Sequence, residues 1–81
     1  MHMSPTVFRH KNFRFHFFSR EEPRMHIHAH CGHGEAKFWI EPDIALARGF
    51  GLTESELRLL RSVIEDRIDE IKNAWYAHFG S

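Results

Sequence analysis

Five consecutive residues, His26-Ile27-His28-Ala29-His30, put three imidazoles on alternate positions. Alternate side chains of an extended strand point the same way and stand about 6.5–7 Å apart, so the three rings should share one face. Imidazole is both a metal ligand and a proton carrier near neutral pH. Two such rings can converge on one ion at Zn–N distances of about 2.0–2.1 Å. His26, His28 and His30, with His16 from a neighbouring strand, are therefore the expected ligands of a divalent transition metal such as Zn or Ni. The pattern has neither the CxxC nor the HExxH spacing of well-known zinc sites, and the polar side of an alternating strand would look the same. Cys31 falls on the opposite parity, which suits a small buried apolar residue better than a ligand or nucleophile.

The same residues support two other chemistries. Arg14 and Lys37, with Phe18 and Trp39 beside them, resemble in kind the basic, aromatic sheet platforms that bind single-stranded nucleic acid. In a ribonuclease His28 and His16 would be the acid/base pair and Lys37 would stabilise phosphate charge. Nothing beyond that pair demands catalysis, because the chain has no Gly-rich phosphate loop. The third use of such a face is protein association, with a second copy of the chain or with a small partner.

The elements that must position these side chains follow from periodicity. Thr6 to Arg9 and Phe13 to Phe18 alternate, with Phe13, Phe15 and Phe17 on one side and Arg14, His16 and Phe18 on the other. Ser19 to Arg24 is charged and contains Pro23, which marks a loop. Met25 to Cys31 alternates again, Gly32-His33-Gly34 turns the chain, and Glu35 to Ile40 sets Ala36, Phe38 and Ile40 against Glu35, Lys37 and Trp39. Three to four antiparallel strands in a meander result. Pairing the second strand with the third should set His16 near His28, Phe18 near His26 and Arg14 near His30; a tight turn at His33-Gly34 adds Lys37 and Trp39.

Glu41-Pro42-Asp43 should end the sheet and open a short helix from Ile44 to Arg48, stopped by Gly49. Thr53 and Glu56 have capping-box spacing, and Leu52 and Leu57 stand where a hydrophobic staple would. Leu57, Leu60, Ile64, Ile68, Ile71, Trp75 and Phe79 then recur at steps of three and four, the apolar stripe of one long helix. The expected fold is a two-layer α+β domain over residues 6–80, with the sheet in 6–40 and the helices in 43–79. Phe13, Phe15, Phe17, Met25, Ile27, Ala29, Phe38 and Ile40 would pack on the helical stripe. Arg14, His16, Phe18, His26, His28, His30, Lys37 and Trp39 would form an open face. Residues 1–5 read as a tail, partly vector sequence ahead of an initiator at Met3.

Composition narrows the function classes. Eighty-one residues with 42% apolar and 27% charged side chains describe one small folded unit, with a core thin enough for a dimer interface or a metal to help. No apolar run is long enough to span a membrane and no secretory signal is visible. With a single cysteine, the expected compartment is the cytoplasm. The net charge is zero with histidine neutral, yet residues 1–40 carry six Lys/Arg against three Asp/Glu, and residues 41–81 five against eight. Seven of the eight histidines lie in the basic half.

Ser4-Pro5-Thr6-Val7-Phe8, the stretches Phe17 to His28 and Gly34 to Pro42, and the ending Ala74 to Gly80 together resemble a bacterial family catalogued as domain of unknown function 4160. The resemblance covers essentially the whole chain. It implies a small cytoplasmic protein, in some members part of a toxin–antitoxin-like system with a partner from an adjacent gene. His26 and His28 match the family's two histidines and Lys37 its lysine. The family pattern sets a proline directly before the first histidine, whereas here Arg24 and Met25 intervene. His30 and His33 fall outside the shared pattern. The expectation is a binding module whose face of Arg14, Phe18, His26, His28, Lys37 and Trp39 takes a partner protein, nucleic acid or a metal, with a ribonuclease as the alternative.

Overall fold

The computed structural model describes residues 6–18 and 23–80. The tail expected at 1–5 and most of the loop expected from Ser19 lie outside the described residues. Five strands, β1 (Thr6–His10), β2 (Phe13–His16), β3 (His26–Cys31), β4 (Gly34–Trp39) and β5 (Ala45–Phe50), form one antiparallel sheet in chain order. Two helices, α1 (Glu54–Asp66) and α2 (Ile68–Phe79), follow. This is the α+β fold read from the alternation, with one strand more. No helix among the described residues is long and apolar enough to cross a membrane.

The pleat sorts the side chains into two faces. One register row runs Phe8, Phe15, Ala29, Ala36, Gly49 across the five strands. It is bulky at β1–β2, where Phe8 and Phe15 stack with centroids 4.5 Å apart, and small towards β5. The small end admits the helix: a Cβ at Gly49 would stand 3.4 Å from the Leu57 side chain. Phe15, Ile27, Ala29, Leu60, Ile64 and Ile71 are fully buried, with Phe13, Phe17, Met25, Phe38, Ile40, Val63 and Trp75 around them. Leu57, Ile68 and Phe79 of the expected stripe pack on this core from its margin. The capping box is present, with Glu56 N–H donating to Thr53 Oγ1 at 3.0 Å and Thr53 N–H to Glu56 Oε1 at 2.9 Å.

Two expectations are corrected. The segment expected as a short helix from Ile44 to Arg48 is strand β5. Ala, Leu and Arg favour a helix locally, but the free edge of β4 offers a ladder to pair with, and context outweighs so small a propensity. A bulge at Ala47 puts Arg48 opposite Lys37 and Leu46 opposite Phe38. The single long helix is two helices meeting at Arg67, whose backbone leaves helical geometry at φ −116° and ψ 28°. Its guanidinium lies 3.7 Å from the Phe8 ring centroid and pairs with Glu70 at 2.9 Å.

For a domain of this size, total stability is on the order of 4–12 kcal/mol. Ile64→Ala should remove about 3 kcal/mol of it. Leu46→Ala, on the exposed edge strand, should cost less than about 1 kcal/mol. Urea denaturation monitored by tryptophan fluorescence checks both; equal losses would mean that β5 is packed as firmly as the centre.

Candidate functional site

On the second face a single register row carries Thr6, His16, His28, Lys37 and Arg48 across all five strands. Its neighbours are the row Arg9, Arg14, His30, Glu35, Phe50 and the pair His26–Trp39. His16 does lie opposite His28, Arg14 opposite His30, Lys37 opposite His28 and Trp39 opposite His26. Phe18 stands over His28 at 4.5 Å between centroids, nearer to it than to the expected His26 position. The turn between β3 and β4 is Gly32-His33, one residue earlier than expected.

The face is not open as expected. His16, His28 and Lys37 are buried and His26 is fully enclosed. The rings cover one another: His16 stacks on His28 at 5.5 Å, and Phe18 meets His16 edge-on at 5.0 Å. His26 is held between Trp39 and Trp75, at 5.8 and 5.3 Å, so it joins the sheet to α2. Its Nδ1–H donates to the Arg24 carbonyl at 2.6 Å. Trp39 carries two cations, Lys37 Nζ at 4.5 Å and the Arg24 guanidinium at 4.1 Å from its ring centre. Arg14 Nε donates to Thr6 Oγ1 at 2.6 Å.

His16 is the electrostatic centre of the face. Burial, then the charges of Arg14, His28 and His30, hold its pKa down to about 4 against an ordinary 6.5, while the Phe17 backbone pulls weakly the other way. The ring is therefore neutral at physiological pH. Its Nε2 lies 3.2 Å from His30 Nδ1, in hydrogen-bond contact, and its buried Nδ1 has no partner of hydrogen-bonding geometry. A neutral imidazole with an unused nitrogen is a proton acceptor or a ligand contact.

That nitrogen belongs to a residue lining a cleft of about 70 Å³. Phe18, His28, His30, Lys37, Arg48 and Phe50 also line it, and His28 and Lys37 are the buried ones among them. Arg48 and Phe50 were missed by sequence reasoning because β5 was not read as a strand; Glu35 was placed beside Lys37 and Trp39 by the alternation but was not counted among the site residues. The available signal was Phe50, an aromatic just past Gly49 that no helical stripe could use. Of the expected binding residues the cleft takes Phe18, His28 and Lys37. Arg14, His26 and Trp39 support it from the adjoining rows.

The expected metal ligands, His16, His26, His28 and His30, are neighbours on the sheet, with His16 5.5 Å from His28 and 5.0 Å from His30 between ring centroids. Among the described residues no group of three or more His, Cys, Asp or Glu is arranged to hold a metal ion.

Fold and site together define a small antiparallel-sheet domain with an aromatic-walled cleft lined by Phe18 and by residues of β2 to β5, Lys37 and Arg48 among them. The chain belongs to the family described as domain of unknown function (DUF4160), whose model matches residues 12–76 and so takes in His16, His28, Lys37 and Arg48. No curated protein and no solved structure matches it.

The depressed His16 fixes a sign. Above pH 6.5 folded and unfolded chains both leave the ring neutral; as pH falls towards 4 only the unfolded chain takes the proton, so stability is lost over that window. His16→Asn removes this titration and should flatten the loss between pH 6.5 and 4.5 by about 2 kcal/mol. Urea midpoints at the two pH values measure it; parallel losses in both proteins would show that His16 titrates normally.

Proposed function

We propose that the protein is a cytoplasmic binding module of a toxin–antitoxin-like system, and that its sheet cleft holds single-stranded RNA. The observation that carries the nucleic-acid part is the cleft itself, where Lys37 and Arg48 sit side by side on paired strands between Phe18, 42% exposed, and Phe50, 76% exposed. A solvent-exposed phenylalanine beside cations has the makings of a stacking surface for a base, with the cations facing the adjoining phosphate. The neutral overall charge suits a short footprint and weak, salt-sensitive binding rather than a long phosphate track. The toxin–antitoxin setting and the cytoplasmic location come from the family resemblance and the single cysteine.

A ribonuclease is the second reading, favoured by one observation. His16 is held neutral at physiological pH beside His28, so it has no proton to lose before accepting one, although a pKa of about 4 makes it a weak base. Strand cleavage would need His28 as the proton donor and Lys37 against the phosphate. Incubation of RNA in chelator separates the two readings: cleavage lost in His28→Ala makes the cleft catalytic, and cleavage equal in both proteins removes the nuclease.

Binding is tested by fluorescence anisotropy of a labelled single-stranded RNA at low salt. Phe50→Ala should weaken binding by about 1–3 kcal/mol, the worth of one stacked base. Arg48→Gln should lower the slope of log K against log salt by about 0.7, the contribution of one phosphate contact. Wild-type protein that leaves the RNA anisotropy unchanged at low salt would sink the proposal.

A further inference from the structure

Among the described residues that line the sheet cleft, Glu35 carries the one carboxylate, set among Lys37, Arg48 and three imidazoles. It stands on β4 directly opposite Phe50 of β5 and His30 of β3. Directly opposed residues share a face with Cβ atoms about 4.5–5.5 Å apart, so the carboxylate is within reach of whatever rests on the Phe50 ring. The two rows of the face also differ in access. His16, His28 and Lys37 fill the middle of one row and are buried, whereas Glu35 and Phe50 are exposed and His30 between the extremes. A ligand therefore meets the row of Glu35 and Phe50 first.

The spacing of this pair is fixed by backbone contacts next to it. Gly34, just before Glu35, packs so tightly on the β5–α1 connection that an added Cβ would come within 2.6 Å of the Phe50 carbonyl. Gly51, just after Phe50 and at φ 75°, leaves no room for a Cβ against the His33 carbonyl. His33 in turn pairs with Glu56 at 2.8 Å, which ties the same turn to α1. Carboxylate and ring are thus arranged before any ligand arrives, and binding has less ordering to offset.

A carboxylate repels phosphate, so its place in a cleft for RNA needs a reason. Among the described residues no ion pair engages Glu35, so it is not occupied in holding a neighbouring cation. Base edges differ in what they offer such an acceptor. The Watson–Crick edge of guanine has two adjacent donors, N1–H and the N2 amino group, which match the two oxygens of a carboxylate. Adenine and cytosine present one amino donor beside an acceptor. Uracil presents one N–H between two carbonyls that a carboxylate repels.

We propose that the cleft selects guanine, which stacks on Phe50 and donates its N1–H and N2 amino hydrogens to Glu35, with Arg48 against the adjoining phosphate. The proposal rests on the RNA reading of the cleft and adds to it a base preference set by one side chain.

The test is fluorescence anisotropy at low salt with labelled hexauridylate and with hexamers in which one central uridine is replaced by guanosine, adenosine or cytidine. A bidentate contact to a base edge makes the guanosine hexamer bind at least about fivefold more tightly than hexauridylate, with the other two between. In Glu35→Gln, which is exposed and leaves the core untouched, that preference should shrink to within about twofold. Hexauridylate should bind this variant at least as tightly as wild type, because a repelling charge is gone. Equal binding of all four hexamers by wild type, or a guanosine preference that survives in Glu35→Gln, would overturn the role of Glu35 and leave the RNA reading standing. Wild-type protein that binds none of the hexamers would remove both.

Discussion

The pairing of β3 with both its neighbours is the constraint from which the rest follows. Ile27 and Ala29 have to be covered by α1 and α2, since the sheet holds most of the apolar surface of a chain with little core to spare. Once they face the helices, the pleat turns His28 and His30 the other way, while His26, at the start of the strand, still reaches Trp75 of α2. The registers with β2 and β4 then lay His16 and Lys37 beside His28. A shift of one residue would exchange the faces and put His28 and His30 where Ile27 and Ala29 now meet the helices. The burial that makes the fold and the row that makes the cleft are one choice of register.

That row has an energetic cost concentrated at His16. Its neighbours include Arg14 and two other imidazoles, and the ring is removed from water. A charge there would be opposed by every surrounding cation, so the ring stays neutral and keeps a nitrogen unused. Packing among His16, His28 and Phe18 offsets part of that penalty. A buried polar atom without a partner is uncommon in proteins, and its position beside a cleft links the strain of the face to the proposed use of the face.

Much of the fold was legible because periodicity is a local record of burial. The Phe13-Phe15-Phe17 alternation, the register of His16 with His28 and of Arg14 with His30, and the Thr53–Glu56 cap were all written in short stretches. The cleft was half legible. His28, Lys37, Glu35 and Phe18 came from the alternation, while Arg48 and Phe50 depended on β5. Ile44 to Arg48 has helix-forming residues, and only the unpaired edge of β4 makes an extended conformation the better one.

By itself the sequence determined which side chains share a face, because a strand's period of two and a helix's of 3.6 are properties of the backbone. Tertiary structure alone decided how exposed that face is, since ring-on-ring packing of His16, His28, Phe18 and the two tryptophans joins residues from separate elements. It also decided that His33 meets Glu56, twenty-three residues further on. No spacing encodes that contact; it exists because a two-residue turn and a helix cap dock at glycines too small to keep them apart.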